Sequence, residues 1–170
     1  MKPMLFIATI LMTTVLFGQQ DKSKRPSPPA LVKETLNSGQ IISIDYSQPA
    51  VKGRTVGEDL EPFEGKVWRT GANEATIFET DKDVKVEGKL LPAGKYGLFS
   101  IMDEDNWTII FNKTWNQWGA FNYKEADDAL RVKVKGVKAP EFYERMTFTI
   151  SKDGKISLFW GYIEVDFKVE

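Results

Sequence analysis

The last eight residues alternate without a break. Ile163, Val165, Phe167 and Val169 are apolar, and Glu164, Asp166, Lys168 and Glu170 are charged. A period of two places each set on one face of an extended chain, so the segment buries its apolar side only as a strand of a half-solvated sheet. The pattern recurs upstream. Leu130, Val132 and Val134 alternate with Arg131, Lys133 and Lys135, and Met146, Phe148 and Ile150 alternate with Arg145, Thr147 and Thr149. Ile156, Leu158 and Trp160 share a face after Lys152-Asp153-Gly154-Lys155, which carries a tight-turn signal.

The first half of the chain reads the same way. Ile42, Ile44 and Tyr46 lie on one face of a strand that Ser47-Gln48-Pro49 ends. Residues 75–80 and 84–86 are further strands, and 95–101 pairs with 107–111 as a hairpin across Asp103–Asn106. Residues 124–129 supply at most one short helical turn. Short strands at turn-punctuated spacing predict an all-β, antiparallel fold of β-sandwich or jelly-roll-like type. A chain of 170 residues can build one such domain with a real core. Two stretches interrupt the strands: a long Pro- and Gly-bearing loop over 48–65, and an aromatic, amide-rich loop over 112–123.

Residues 1–18 read as a secretory signal peptide. Lys2 precedes an apolar run from Met4 to Phe17, broken only by Thr9, Thr13 and Thr14, and Gly18 follows. The run is short for a membrane span, and no cysteine follows it to carry a lipid anchor. The reading is a periplasmic or secreted protein with no membrane insertion of the mature chain. Residues 19–30 read as a flexible Pro-rich leader with solvated charges, and 31–170 as the single folded domain.

The chain contains neither Cys nor His. Thiolate nucleophiles, His-assisted triads, Cys/His zinc sites and disulfides are therefore excluded. Acid–base chemistry falls to Asp, Glu, Lys or Tyr, and no metal site or cofactor is expected. A formal net charge of −1 leaves no broad footprint for nucleic acid.

The densest polar chemistry lies in Trp68-Arg69-Thr70-Gly71-Ala72-Asn73-Glu74-Ala75. Arg69 either clamps an anion or pairs internally with Glu74 or Asp45. Asn73 either orients a ligand or caps a turn, and Trp68 either offers a stacking face or fills core. The loop with Trp115, Asn116, Gln117, Trp118, Phe121, Asn122 and Tyr123 alternates rings with amides. That mixture suits a sugar, and equally suits a loop folded down with its rings buried. The candidate ligand-binding set is Trp68, Arg69, Asn73, Glu74, Trp118 and Tyr123. Glu74 with Asp45 is the one carboxylate pair nominated for catalysis.

The motifs Asp45-Tyr46-Ser47 with Pro49, Lys52-Gly53-Arg54, Gly65 through Thr76, Leu91 through Tyr96, Trp107 through Lys113, and Asn116-Gln117-Trp118-Gly119-Ala120 with Asn122-Tyr123 resemble the DUF2911 family. Gln48 stands where that family commonly has arginine, and Glu64 is an extra residue before Gly65. The resemblance covers nearly all of the mature domain and implies a secreted β domain, with no activity or catalytic residue to carry over. The expected function is a non-catalytic binding module for a polar small molecule or glycan. The alternatives are an envelope glycan hydrolase using the Glu/Asp pair, and a structural envelope interaction protein.

Overall fold

The computed structural model describes residues 21–170; the expected signal peptide and the first two leader residues lie outside them. Ten strands follow in order: β1 (Pro29–Thr35), β2 (Ile41–Ser47), β3 (Val67–Trp68), β4 (Thr76–Thr80), β5 (Val84–Val86), β6 (Lys89–Leu91), β7 (Gly94–Asp103), β8 (Asn106–Asn112), β9 (Asp128–Ile150) and β10 (Lys155–Lys168). The main sheet is antiparallel, in the order β1-β2-β4-β7-β8-β9-β10, with β3 also paired to β7. β5 and β6 form a small second sheet. The fold is all-β, as the period-two patterning requires, and the single-turn helical reading of 124–129 corresponds to a 3-10 turn over Glu125–Asp127.

β9 curls the sheet. Its first half pairs with β8, from Asn106↔Lys135 to Asn112↔Asp128. Its second half reaches the chain just after β2: Met146 N donates to Pro49 O at 3.0 Å and Val51 N to Glu144 O at 2.9 Å. The sequence reads as two strands here because Gly136 and Pro140 interrupt the alternation. The structure carries one strand through them, with register shifts against β10 between Phe159 and Ile163. A bulge takes up unpaired residues and bends the strand, so a proline that cannot donate is tolerated at that point.

The apolar faces meet inside this curl. Ile42, Ile44, Phe78, Leu98, Phe111, Met146 and Phe148 are all buried. Phe78 and Phe111 meet edge to face, 5.0 Å between centroids, as do Tyr46 and Phe148. Tyr46 also ties β2 to β9, because its hydroxyl accepts from Phe148 N at 3.1 Å.

β7 and β8 are covered on their outer side as well. Phe99 and Ile110 form a second buried cluster with Ala75, and Ala120 and Tyr123 pack against it. The aromatic loop is therefore a lid on the sheet. It can lie this close because Gly97 has no side chain: a Cβ there would stand 3.3 Å from Trp115 Cα. Asn112, fully buried, anchors the loop's two ends by accepting from Thr114 N and donating to Lys124 O and Asp128 Oδ1.

The leader departs from expectation. β1 begins at Pro29, and residues 21–28 are docked on the domain. Gln48 N donates to Pro28 O at 2.9 Å, Asn73 Nδ2 to Ser27 O at 3.0 Å, and Arg145 Nη1 to Pro26 O at 3.3 Å. Asp21 caps a 3-10 turn over Lys22–Lys24 by accepting from Ser23 N. Proline removes ladder donors, so the segment reads as coil; its carbonyls remain acceptors, and the domain supplies the donors.

Candidate functional site

The Trp68–Ala75 stretch leaves β3, turns, and enters β4. Thr70 and Asn73 both adopt positive φ, +48° and +60°. A β-branched residue there is strained. Thr70 is held in place by three contacts: its hydroxyl bonds Ser100 Oγ at 3.0 Å and Trp68 O at 3.4 Å, and its carbonyl accepts from Thr76 Oγ1 at 2.7 Å. The end of the stretch pairs with the aromatic loop. Ala75 N donates to Gln117 O, Gly119 N donates to Asn73 O, and Glu74 bridges Trp118.

This pairing separates the nominated residues. Trp68 is 2% exposed, stacks on Trp160 at 5.8 Å, and donates its indole N–H to Gly71 O. It is a core ring. Arg69 pairs with Glu61 of the long loop at 3.4 Å, not with Glu74 or Asp45. Asn73 holds the leader through Ser27. Tyr123 turns inward onto Phe99, and its hydroxyl donates to Asp128 Oδ2 while accepting from Arg131 Nη2. Burial, and next the Asp128 carboxylate, push the Tyr123 phenol up to about 12 against the opposing pull of Arg131. Of the six nominated binding residues, Glu74 lines a polar cleft.

That cleft encloses about 170 Å³ between the docked leader, β2 and the aromatic loop. Asp45 and Tyr46 of β2 line it with Glu74, and the loop contributes Trp115, Asn116 and Gln117. Lys22 and Arg25 form the third wall. Arg25 Nη1 bonds both Glu74 oxygens, at 3.0 and 2.8 Å, and Lys22 Nζ lies 3.0 Å from Oε1. The Arg25 guanidinium also sits 5.8 Å from the ring centre of Trp118, which is 54% exposed. The two leader cations, read from the sequence as solvated, are thus the partners of Glu74. The one sequence signal was two basic residues three apart just ahead of a proline run; their partner lies 49 residues beyond Arg25.

The two carboxylates are shifted in opposite directions. Burial raises Asp45, Lys22 and Lys95 draw it back, and Glu74 pushes it further up. Burial would raise Glu74 too, but its own backbone N–H and the hydrogen bonds from Lys22 and Arg25 leave it lowered. The sign follows from linkage. Glu74 has a folded pKa below its ordinary value of about 4.5, so its stabilising contribution is complete above that value and is lost as pH falls through the folded one. Melting temperatures measured across pH are expected to favour wild type over Glu74→Gln at neutral pH, with the gap closing below about pH 4. A gap that stays constant into acid would contradict the ion-pair assignment.

The family model described as "Protein of unknown function (DUF2911)" matches residues 27–169. The chain belongs to the DUF2911 family. The match begins within the docked leader, at Ser27, and runs to Val169. It therefore takes in β1 through β10 and the strand and loop walls of the cleft, but neither Lys22 nor Arg25. No curated protein and no solved structure matches this DUF2911 chain.

Proposed function

We propose that this DUF2911 protein is a non-catalytic binding module whose ligand, a polar small molecule or one unit of a glycan, seats in the cleft between the leader, β2 and the aromatic loop. The observation that carries this reading is the lining. Two carboxylates, two cations, two amides and the Trp115 ring converge on one small cleft. Polar groups that converge on an aromatic wall fix a ligand's orientation while the ring covers its apolar side. Drug-sized pockets enclose roughly 300–1,000 Å³, so a cleft of about 170 Å³ suits something smaller.

The test is a thermal-shift screen of the purified protein against sugars, envelope fragments and small polar metabolites, run on wild type and Glu74→Gln. A ligand that binds the folded state alone raises the melting temperature. At least one compound is expected to shift wild type and to shift Glu74→Gln less. Equal shifts in both would remove Glu74 from the site, and no shift across the screen would end the reading. Export belongs to the same proposal and rests on the residue 1–18 pattern. Protein sequenced from the envelope or medium fraction is expected to begin near Gln19, and an intact Met1 terminus there would contradict it.

A second reading is favoured by one observation: Asp45 and Glu74 line the same cleft with pKa values moved apart. That is how a general acid and an ionised carboxylate are prepared side by side. In an envelope glycan hydrolase, Asp45 would be the acid and Glu74 the base or nucleophile. Both Glu74 oxygens are engaged by Arg25 and Lys22, so this chemistry requires the leader to move. Turnover of chromogenic glycosides that disappears in Asp45→Asn would favour it over simple binding.

A further inference from the structure

The alternation of β10 slips by one residue in its middle. Ile156, Leu158 and Trp160 face the core, and beyond the slip Val165 and Phe167 do so. The slip falls at Gly161-Tyr162, where the register against β9 breaks. Gly161 takes φ +61°, and the extra residue turns the Tyr162 ring outward, 56% exposed. Bulges re-aim side chains in this way and are frequent beside binding sites. Phe142 of β9 is exposed too and meets Tyr162 edge to face at 5.2 Å. The long loop lies against the bulge, since a Cβ on Gly161 would stand 3.3 Å from Val56 Cγ2. Between loop and strands runs a groove of about 300 Å³, lined by the two rings and by Val51, Val56 and Ile163. That volume lies at the lower end of the range for small-molecule sites, roughly 300–1,000 Å³.

Arg54 is the charged residue of the lining. The loop's own backbone fixes its guanidinium: Nε donates to Val51 O at 3.1 Å and Nη2 to Ala50 O at 3.0 Å. It has no carboxylate partner among the described residues, and Nη1 keeps its donors unspent. Lys138 holds its ammonium 5.5 Å from the Tyr162 ring centre and likewise forms no ion pair among the described residues. The nearby acids have other tasks. Asp59 and Glu144 accept from the backbone N–H of Thr55 and Lys52, Glu164 pairs with Lys155, and Glu141 acts on the Tyr143 hydroxyl. None of the four lines the groove. An apolar trough with a fixed guanidinium in its wall complements an apolar body that ends in an anion.

We propose that this groove is a second binding site, separate from the cleft at Glu74, for a small amphiphile with a ring-sized apolar body and one carboxylate. The carboxylate pairs with Arg54, Lys138 adds positive potential, and the body lies between Val56 and the Phe142–Tyr162 pair. Phenylacetate, phenylacetamide and acetate separate the head from the body.

An amide NMR titration of each compound into wild type, Arg54→Gln/Lys138→Gln and Tyr162→Ala tests it, with a thermal melt to check that each variant folds. Phenylacetate is expected to bind wild type about ten-fold tighter than phenylacetamide, the worth of a hydrogen bond to a charged group. It is expected to move Val56, Gly161 and Tyr162, and acetate, which lacks the body, to bind more weakly still. The double variant is expected to bind phenylacetate and phenylacetamide alike. Tyr162→Ala removes an exposed ring and is expected to weaken both by the same factor. Equal binding of acid and amide to wild type would overturn the proposal, as would an acid preference that persists in the double variant. So would full binding by Tyr162→Ala, shifts centred on Trp115 and Gln117, or no binding of phenylacetate at all. The sugar screen at the Glu74 cleft is independent of each of these results.

Discussion

Gly154→Ala is expected to cost about 3 kcal/mol or more of unfolding free energy. Gly154 ends the turn between β9 and β10 at φ +89°, a region that an L side chain enters only under strain. A Cβ placed there would overlap the Val169 carbonyl oxygen and come within 3.5 Å of Leu36 Cδ1. The carbonyl has no room to yield. Val169 N donates back to Gly154 O at 2.9 Å, Val169 bridges Val86, and Glu170 exchanges hydrogen bonds with Lys85. Gly88 supplies the comparison. It has a similar φ of +75° but open space where a Cβ would stand, with nothing within 4 Å, so Gly88→Ala is expected to cost only about 1 kcal/mol. Urea unfolding of the two variants reads the difference through their midpoints. Equal losses would mean that backbone strain, and not the Val169 contact, sets the cost.

Trp68→Ala is expected to cost about 3–5 kcal/mol, and Trp118→Ala less than about 1 kcal/mol. Trp68 is enclosed by the curl of the sheet, stacked on Trp160 with planes 15° apart, and its N–H is satisfied by Gly71 O. Removing it leaves a large cavity in the core beside Trp160. Trp118 stands on the surface, and its principal partner is the Arg25 guanidinium. The same unfolding measurement separates the two. A Trp68→Ala loss no larger than that of Trp118→Ala would contradict the core assignment.

Those two tryptophans show where reading the sequence stops. Strand content was legible because alternation is a local property: the 163–170 and 130–135 patterns each carry their own face assignment. Ile110 was harder, since it sits on the polar side of an alternating strand and is buried by a loop that follows it. Pairing of charges was not legible. Arg69 and Glu74 are five apart and chemically complementary, yet the turn between them, with Thr70 and Asn73 at positive φ, sends their side chains to different partners. The choice of Arg25 for Glu74 depends on β1 lying against β2, which returns the leader to the mouth of the Trp68–Ala75 turn. That turn and the aromatic loop lie side by side, joined by the Glu74–Trp118 bridge. The cleft it makes is walled by residues 115–117 and by the leader, more than by the residues nominated in the stretch itself.

The most direct test of ligand binding at this cleft is an amide and indole NMR titration of the purified protein with the sugar that binds it tightest. The account predicts that the Trp115 indole, the Gln117 side-chain amide and the backbone of Asp45 and Glu74 move together, while the buried Trp68 indole stays fixed. Shifts centred instead on Phe142 and Tyr162, an exposed aromatic pair 5.2 Å apart on β9 and β10, would contradict it and place the binding surface on the opposite strand pair.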